Sequence, residues 1–283
     1  MRTILQTFAN LRPCDGDWGV EIEVEGENLP TRFPKGEWRV EHDGSLKAAE
    51  AYEYVMPTPL STKGVLDALA ALQAAYDKNE SKPLESVRAG VHVHMNVQKM
   101  TVKQVFTFAT IYFILEELLV KHCGENREGN LFCLRSSDAE YILFAMHEAV
   151  VAKNWRPLRT DNLRYCSLNF QSLFKYGSLE FRSMRSTPDL DAIYKWVKIL
   201  EELRDNSLKF TDPLDVMMSF SGDGETSFLR RLLPTYWNEL TFPGYEKAIR
   251  KACRRVQMIA FTVEWDKLGE KVNNPFLAQE VFA

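Results

Sequence analysis

Apolar and polar residues alternate in three short stretches of this chain. They are Gly19-Val20-Glu21-Ile22-Glu23-Val24-Glu25, Gly90-Val91-His92-Val93-His94-Met95-Asn96 and Ser178-Leu179-Glu180-Phe181-Arg182. This is the period of a β-strand whose two faces differ. Surface faces of strands usually carry Thr, Ser or Lys. Here one face carries Glu21, Glu23 and Glu25, another His92 and His94, and the third Glu180 and Arg182. Every one of these is a metal-ligand type or an arginine.

The same pattern sets out the remaining elements. Strands are predicted over Trp18 to Gly26, Glu37 to Glu41, Ala51 to Met56 and Ala89 to Val97, with Asp43-Gly44 as a turn and Pro57 and Pro59 as stops. Ser61 or Thr62 caps a helix to about Asp77, with Val65, Leu66, Leu69, Leu72 and Tyr76 on its apolar stripe. Thr101 opens a long helix through Phe108, Tyr112, Leu115 and Leu119 that ends near Gly124. It is apolar nearly all round until Glu116, which places it deep in the core. Cys123 to Leu134 reads as a polar loop. Ser136 or Ser137 caps a helix carrying Tyr141, Phe144, Ala145 and Val151, and Asn154 to Tyr165 is irregular. Cys166 to Ser172 and Gly177 to Met184 read as strands, and a helix runs from Pro188 to about Ser207. Thr211 to Glu225 reads as a loop, and short helices finish the chain.

Helices between non-neighbouring strands argue for an α+β fold with a mixed or antiparallel sheet. No Pro/Gly/Ser linker divides the 283 residues, so a single domain, 1–283, is expected. Apolar residues at 45% and charged residues at 26% fit a soluble globular protein. A net charge of -4 gives no basic field to draw the chain to nucleic acid or membranes, and neither is expected as a partner. Cys14, Cys123, Cys133, Cys166 and Cys253 are widely spaced and form no CxxC pair, which fits reduced thiols and a cytoplasmic location. Gln6, Asn10 and Arg12 interrupt any secretory apolar region, and Val105 to Leu115 is too short to span a bilayer.

The chemistry lies in the alternating strands. Three acids on one strand face repel unless a cation or basic groups stand opposite; the plain alternative is a solvated edge strand. His92-x-His94 is a common metal-ligand geometry, though half-buried structural histidines share it. With oxygens dominant and no cysteine involved, Mg2+ or Mn2+ suits these residues better than zinc. Glu180, Arg182 and Arg185 offer either an ion-pair ladder or a carboxylate ligand beside guanidinium groups that hold phosphate oxygens. Arg250, Lys251, Arg254 and Arg255 read as a solvated helix face, and His122 and His147 as structural. No GxxxxGK[ST] or GxGxxG loop is present, so a nucleotide would have to be held by metal and arginines.

Taken in order, these segments resemble the amidoligase branch of the glutamine synthetase-like superfamily of carboxylate-amine ligases. The matching pieces are Gly19 to Glu25, Trp38, Asp43-Gly44-Ser45-Leu46, Glu53-Tyr54-Val55-Met56-Pro57, Ala89 to His94, Asn169 and Gly177 to Arg182. They mark residues 18–205 as the motif-bearing core and leave 206–283 as a helical C-terminal extension without motifs. The resemblance implies a curved, largely antiparallel sheet with helices packed on its convex face, and ATP and Mg2+ (or Mn2+) in the concave one. It implies that Glu21, Glu180 and His92 hold the metal that bridges the transferred phosphoryl group. Glu23 and Glu53 would hold the metal nearer the carboxylate and amine. Arg182 and Arg185 resemble the arginines that neutralise the phosphoryl group, and Arg164 and Asn169 are candidates for substrate or nucleotide contact.

The implied activity is ATP-dependent amide or isopeptide formation through an acyl phosphate, on small-molecule or peptide carboxylates and amines. A glutamine amidotransferase partner and a bacterial or phage setting are part of the same expectation. The alternatives are a phosphotransferase of related fold, a non-catalytic metal- or nucleotide-binding relative, and a metal-dependent hydrolase using His92 and His94.

Overall fold

The computed structural model of the protein describes residues 1–124, 133–262 and 265–268. The strands are β1 (Trp18–Glu27), β2 (Arg39–Glu41), β3 (Ala51–Val55), β4 (Lys82–Leu84), β5 (Gly90–Asn96), β6 (Leu168–Asn169) and β7 (Ser178–Arg185). The helices are α1 (Ile4–Thr7), α2 (Thr62–Asn79), α3 (Val102–His122), α4 (Tyr141–Val151), α5 (Gln171–Lys175), α6 (Leu190–Ser207), α7 (Pro213–Leu232), α8 (Trp237–Leu240) and α9 (Tyr245–Ala260). The chain is thus mixed helix and sheet. Among the described residues seven strands form one open sheet in the order β2-β3-β1-β5-β7-β6, with β4 on the end of β1. Every strand pair is antiparallel.

Alternation divides the sheet into two faces. Val20, Ile22, Val24, Val91, Val93, Met95, Leu179 and Phe181 are buried on one of them. Phe181 meets Phe108 and Tyr112 of α3, with ring centroids 5.8 and 5.4 Å apart. Trp38 is buried just before β2, and its indole N–H donates to the Ala68 carbonyl of α2 at 2.9 Å. The deep position expected for α3 holds: its residues from Val105 to Leu115 are buried on every side, and so is Glu116. The sheet covers one side of α3, while α7 and α9 pack against it from elsewhere. None of the helices among the described residues is long and apolar enough to cross a membrane.

Both long N-caps follow the residues expected. Ser61 Oγ accepts from the Gly64 N–H, and Thr101 forms a reciprocal capping box with Gln104. The Asp43 turn is present, with the Ser45 N–H donating to Asp43 Oδ1 at 2.6 Å. Other expectations are corrected. The strand expected to Ser172 stops at Asn169, because Asn169 Oδ1 accepts from the Gln171 N–H and the chain coils into α5. The loop expected over 211–225 is mostly helix α7, which Asp212 caps and Pro213 opens. Within it Gly224 leaves helical geometry, at φ 73°. Tyr141, Phe144 and Val151 do not form the buried stripe of α4. They are exposed, while Ile142, Leu143, Met146, Ala149 and Val150 are buried with Ala145. Neither Ser136 nor Ser137 caps α4, which begins after Glu140. Leu66 of α2 is also exposed. β2 is shorter than expected, and β4 was not anticipated because Pro83 interrupts it. The loop expected over Cys123 to Leu134 lies mainly outside the described residues.

Candidate active site

β1, β5, β7 and β3 bring the expected side chains together on the sheet face opposite α3. Register does this. Glu21 stands opposite His92, Glu23 opposite Glu53, and His94 opposite Glu180. β7 carries a bulge: the pairing jumps from Val91↔Met184 to Val93↔Phe181, so Arg182 and Ser183 together face His92.

His92 is the centre of the arrangement. Its Nδ1 lies 3.4 Å from Glu21 Oε2 and 3.8 Å from Glu180 Oε1, and its Nε2 lies 3.8 Å from Glu23 Oε1. Two sets of groups close enough to share an ion result, Glu21–His92–Glu180 and Glu23–Glu53–His92. A neutral imidazole has one lone pair to give, so His92 serves as a ligand in one set at a time.

Three of the carboxylates, Glu180, Glu23 and Glu21, also meet protein groups. Asn169 Nδ2 and Ser172 Oγ donate to Glu180 Oε2 at 2.7 and 2.8 Å, and Arg182 Nη1 donates to Oε1 at 2.5 Å. The Gly90 N–H donates to Glu23 Oε2 at 2.7 Å. His94 Nε2 lies 3.2 Å from Glu21 Oε1, and its Nδ1 lies 3.3 Å from Ser178 Oγ.

The acidities divide accordingly. Burial opposes ionisation of Glu21, but contact with His92 and His94 outweighs it and holds the acid well below the usual carboxylate range. Burial likewise opposes ionisation of Glu180, and the charges of His94, Arg182 and His92 bring its pKa below the ordinary value. Glu23 is raised by burial. Glu53 is pushed up to about 8 by burial and by the neighbouring Glu21, Glu23, Asp43 and Glu41. The cluster therefore holds more acid than its own cationic groups neutralise. Its donor set is carboxylate oxygen with one imidazole and no thiolate, which fits a small hard divalent cation.

A cavity of about 600 Å³ opens beside this cluster. Glu21, His94, Asn169, Ser172 and Glu180 line it on the sheet side, and Asn10, Phe174, Lys175 and Tyr176 line the rest. Its volume is that of a site for a small molecule.

The other sequence candidates fall elsewhere. Glu25 is not part of the cluster: its Oε1 accepts the Lys47 and Ala48 N–H groups and pins the loop after the Asp43 turn. Arg185 stands opposite Gly90, and its Nη2 lies 3.6 Å from Glu85 Oε1. A Cβ on Gly124 would come within 2.6 Å of Arg185 Cδ, so glycine there leaves the arginine its path. Arg164 is exposed in the irregular stretch before β6, with its guanidinium over the Tyr165 ring. Asn169 spends both ends of its amide on protein partners, Glu180 and the Gln171 N–H. His147 is structural as expected, with Nδ1 2.9 Å from Thr262 Oγ1. Ser172, Gly90 and the role of His94 escaped the sequence reading. Ser172 was placed on a strand, a backbone N–H carries no residue signal, and His94 showed only as half of an H-x-H pair.

Residues 17–203 match a protein family described as "putative amidoligase enzyme". That span coincides with the motif-bearing core. No curated protein matches the chain.

Proposed function

The chain belongs to this amidoligase family, and from that we propose that it is an ATP- and Mg2+-dependent ligase that joins a carboxylate to an amine through an acyl phosphate. The observation that carries the reading is His92 set between two carboxylate groups, with Arg182 against Glu180 beside a cavity of small-molecule size.

A free carboxylate is a poor electrophile because it would have to expel oxide. Phosphorylation by ATP turns one of its oxygens into a leaving group, and attack by an amine then yields the amide and releases phosphate. Bound divalent cations supply charge neutralisation to the phosphate oxygens. Glu21, Glu180 and His92 would hold one of them and Glu23 and Glu53 the other. Arg182 presents a planar guanidinium at the edge of the cluster, suited to the charge of the group in transfer. The cavity walls would orient the reactants.

The test is mass spectrometry of candidate carboxylate and amine pools incubated with protein, ATP and Mg2+. The expected result is a new amide formed with ADP and phosphate, only when all components are present. A stable phosphorylated product would make the protein a phosphotransferase, and ATP-independent cleavage of an added amide would make it a hydrolase.

A further inference from the structure

Glu180 and Glu23, the two buried carboxylates beside His92, share one arrangement. In each, one oxygen accepts from uncharged protein donors and the other is turned toward His92. Glu180 Oε2 accepts from Asn169 and Ser172, while Oε1 faces His92 Nδ1. Glu23 Oε2 accepts from the Gly90 N–H, while Oε1 faces His92 Nε2. Half-buried Glu21 differs: its Oε1 lies 3.2 Å from His94 Nε2 without hydrogen-bond geometry, while Oε2 faces His92 Nδ1. The donors on Glu180 and Glu23 differ in kind: a side-chain amide, a hydroxyl and a backbone N–H.

We propose that Asn169 and Ser172 on Glu180, with the Gly90 N–H on Glu23, are positioning groups that favour one ligating oxygen on each of these carboxylates, and thereby select Mg2+ or Mn2+ against Ca2+. The inference rests on the cation-dependent reading above and assigns what sets the identity of the cation. Ca2+ takes more oxygens, commonly both from one carboxylate, whereas Mg2+ keeps a tight octahedron completed by water. Asn169 and Ser172 together occupy both lone pairs of Glu180 Oε2, so for Glu180 to chelate through both oxygens it must give up at least one of these hydrogen bonds. Asn169 resists this further, because its Oδ1 accepts from the Gln171 N–H at 2.8 Å and fixes which way its NH2 points. The α5 turn that ends β6 is therefore part of the selectivity device. Arg182 does not belong to it, since its bond is to the ligating oxygen.

The test uses the full chain without nucleotide or substrate. Mn2+ binding is followed by electron paramagnetic resonance, and Ca2+ binding by calorimetry and by competition with Mn2+. The parent protein should bind Mn2+ more tightly than Ca2+. In Asn169→Ala/Ser172→Ala the Mn2+ to Ca2+ affinity ratio should shrink by roughly tenfold, the lower range for loss of outer hydrogen-bond partners of a metal ligand. Ser172→Ala alone should fall between, and Ser172→Thr, which keeps the hydroxyl, should stay near the parent. Circular dichroism and melting establish folding, and the single variant decides the matter if the double variant does not fold. A parental ratio in folded Ser172→Ala with Mn2+ binding intact would overturn the positioning role and leave the proposed function standing. A parent protein that binds neither ion would overturn the cation-dependent reading itself.

Discussion

Arg182 Nη1 donates to Glu180 Oε1, the same oxygen that lies 3.8 Å from His92 Nδ1. A cation held by Glu21, His92 and Glu180 therefore competes with a guanidinium for one oxygen. Arg182→Gln should bind Mn2+ several-fold more tightly than the parent without nucleotide, as titration will read. Arg182→Lys keeps the charge but loses the planar fork. It should retain metal and nucleotide binding while turnover falls by roughly 10²-fold, the scale of losing a positioned donor to transition-state charge. Parental turnover in Arg182→Lys at saturating ATP and Mg2+ would leave Arg182 as an ion-pair partner only.

Nucleotide binding should require a divalent cation. The chain has no phosphate-cradling glycine loop, and its cluster is acidic, so phosphate oxygens meet repulsion there unless a cation intervenes. Calorimetry with ATP, with and without Mg2+, reads this directly. Tight binding in a chelator would sink it.

Glu116 makes stability fall with rising pH. It is buried within α3 and accepts from the Ser136 N–H, Ser136 Oγ and Ser167 Oγ. Tyr112, Cys133, Cys166 and Arg255 are the titratable or charged groups around it. Burial pushes its pKa from 4.5 up to about 7. The folded state thus holds a proton that the unfolded chain releases. That contribution is complete below about pH 4.5 and is lost as pH rises through about 7. Between pH 5 and 8, denaturant titrations should show the parent losing on the order of 2 kcal/mol more than Glu116→Gln, which cannot titrate. Identical pH profiles would remove Glu116 from the account.

The all-round burial of α3 has its own consequence. Leu115 is fully buried, and Leu115→Ala should cost about 2–5 kcal/mol in chemical denaturation, the range for removing a leucine side chain from a packed interior. A loss below about 1 kcal/mol would mean that the helix repacks freely.

Much of the fold was legible because hydrophobic period is a local property. Val20, Ile22 and Val24 must point one way if Glu21 and Glu23 point the other, and the α3 sequence admits no solvent face before Glu116. The same locality misled at Cys166-Ser167-Leu168-Asn169-Phe170-Gln171-Ser172, which alternates as a strand as far as Gln171. A side-chain bond from Asn169 to the backbone two residues on ends that strand and begins α5. α4 misled for a related reason. Apolar residues lie on several of its sides, and its packing against α9 and the segment after it decides which are buried.

By itself the sequence determined the residue types on each strand face, the donor chemistry of Glu21, Glu23, Glu53, His92 and Glu180, and the span of the motif-bearing core. Tertiary structure decided which of them meet. Alternation alone places Arg185, an odd number of residues after Glu180, on the opposite face; the bulge at Arg182-Ser183 returns it to the side of Gly90. Cross-strand register set Glu23 beside Glu53 and put His92 between two carboxylate groups. The α5 turn brought Ser172 onto Glu180. These relations depend on pairings between segments far apart in the chain, where the free energy comes from burying one whole sheet face at once, and no local period encodes which oxygen of a carboxylate will be left to bind.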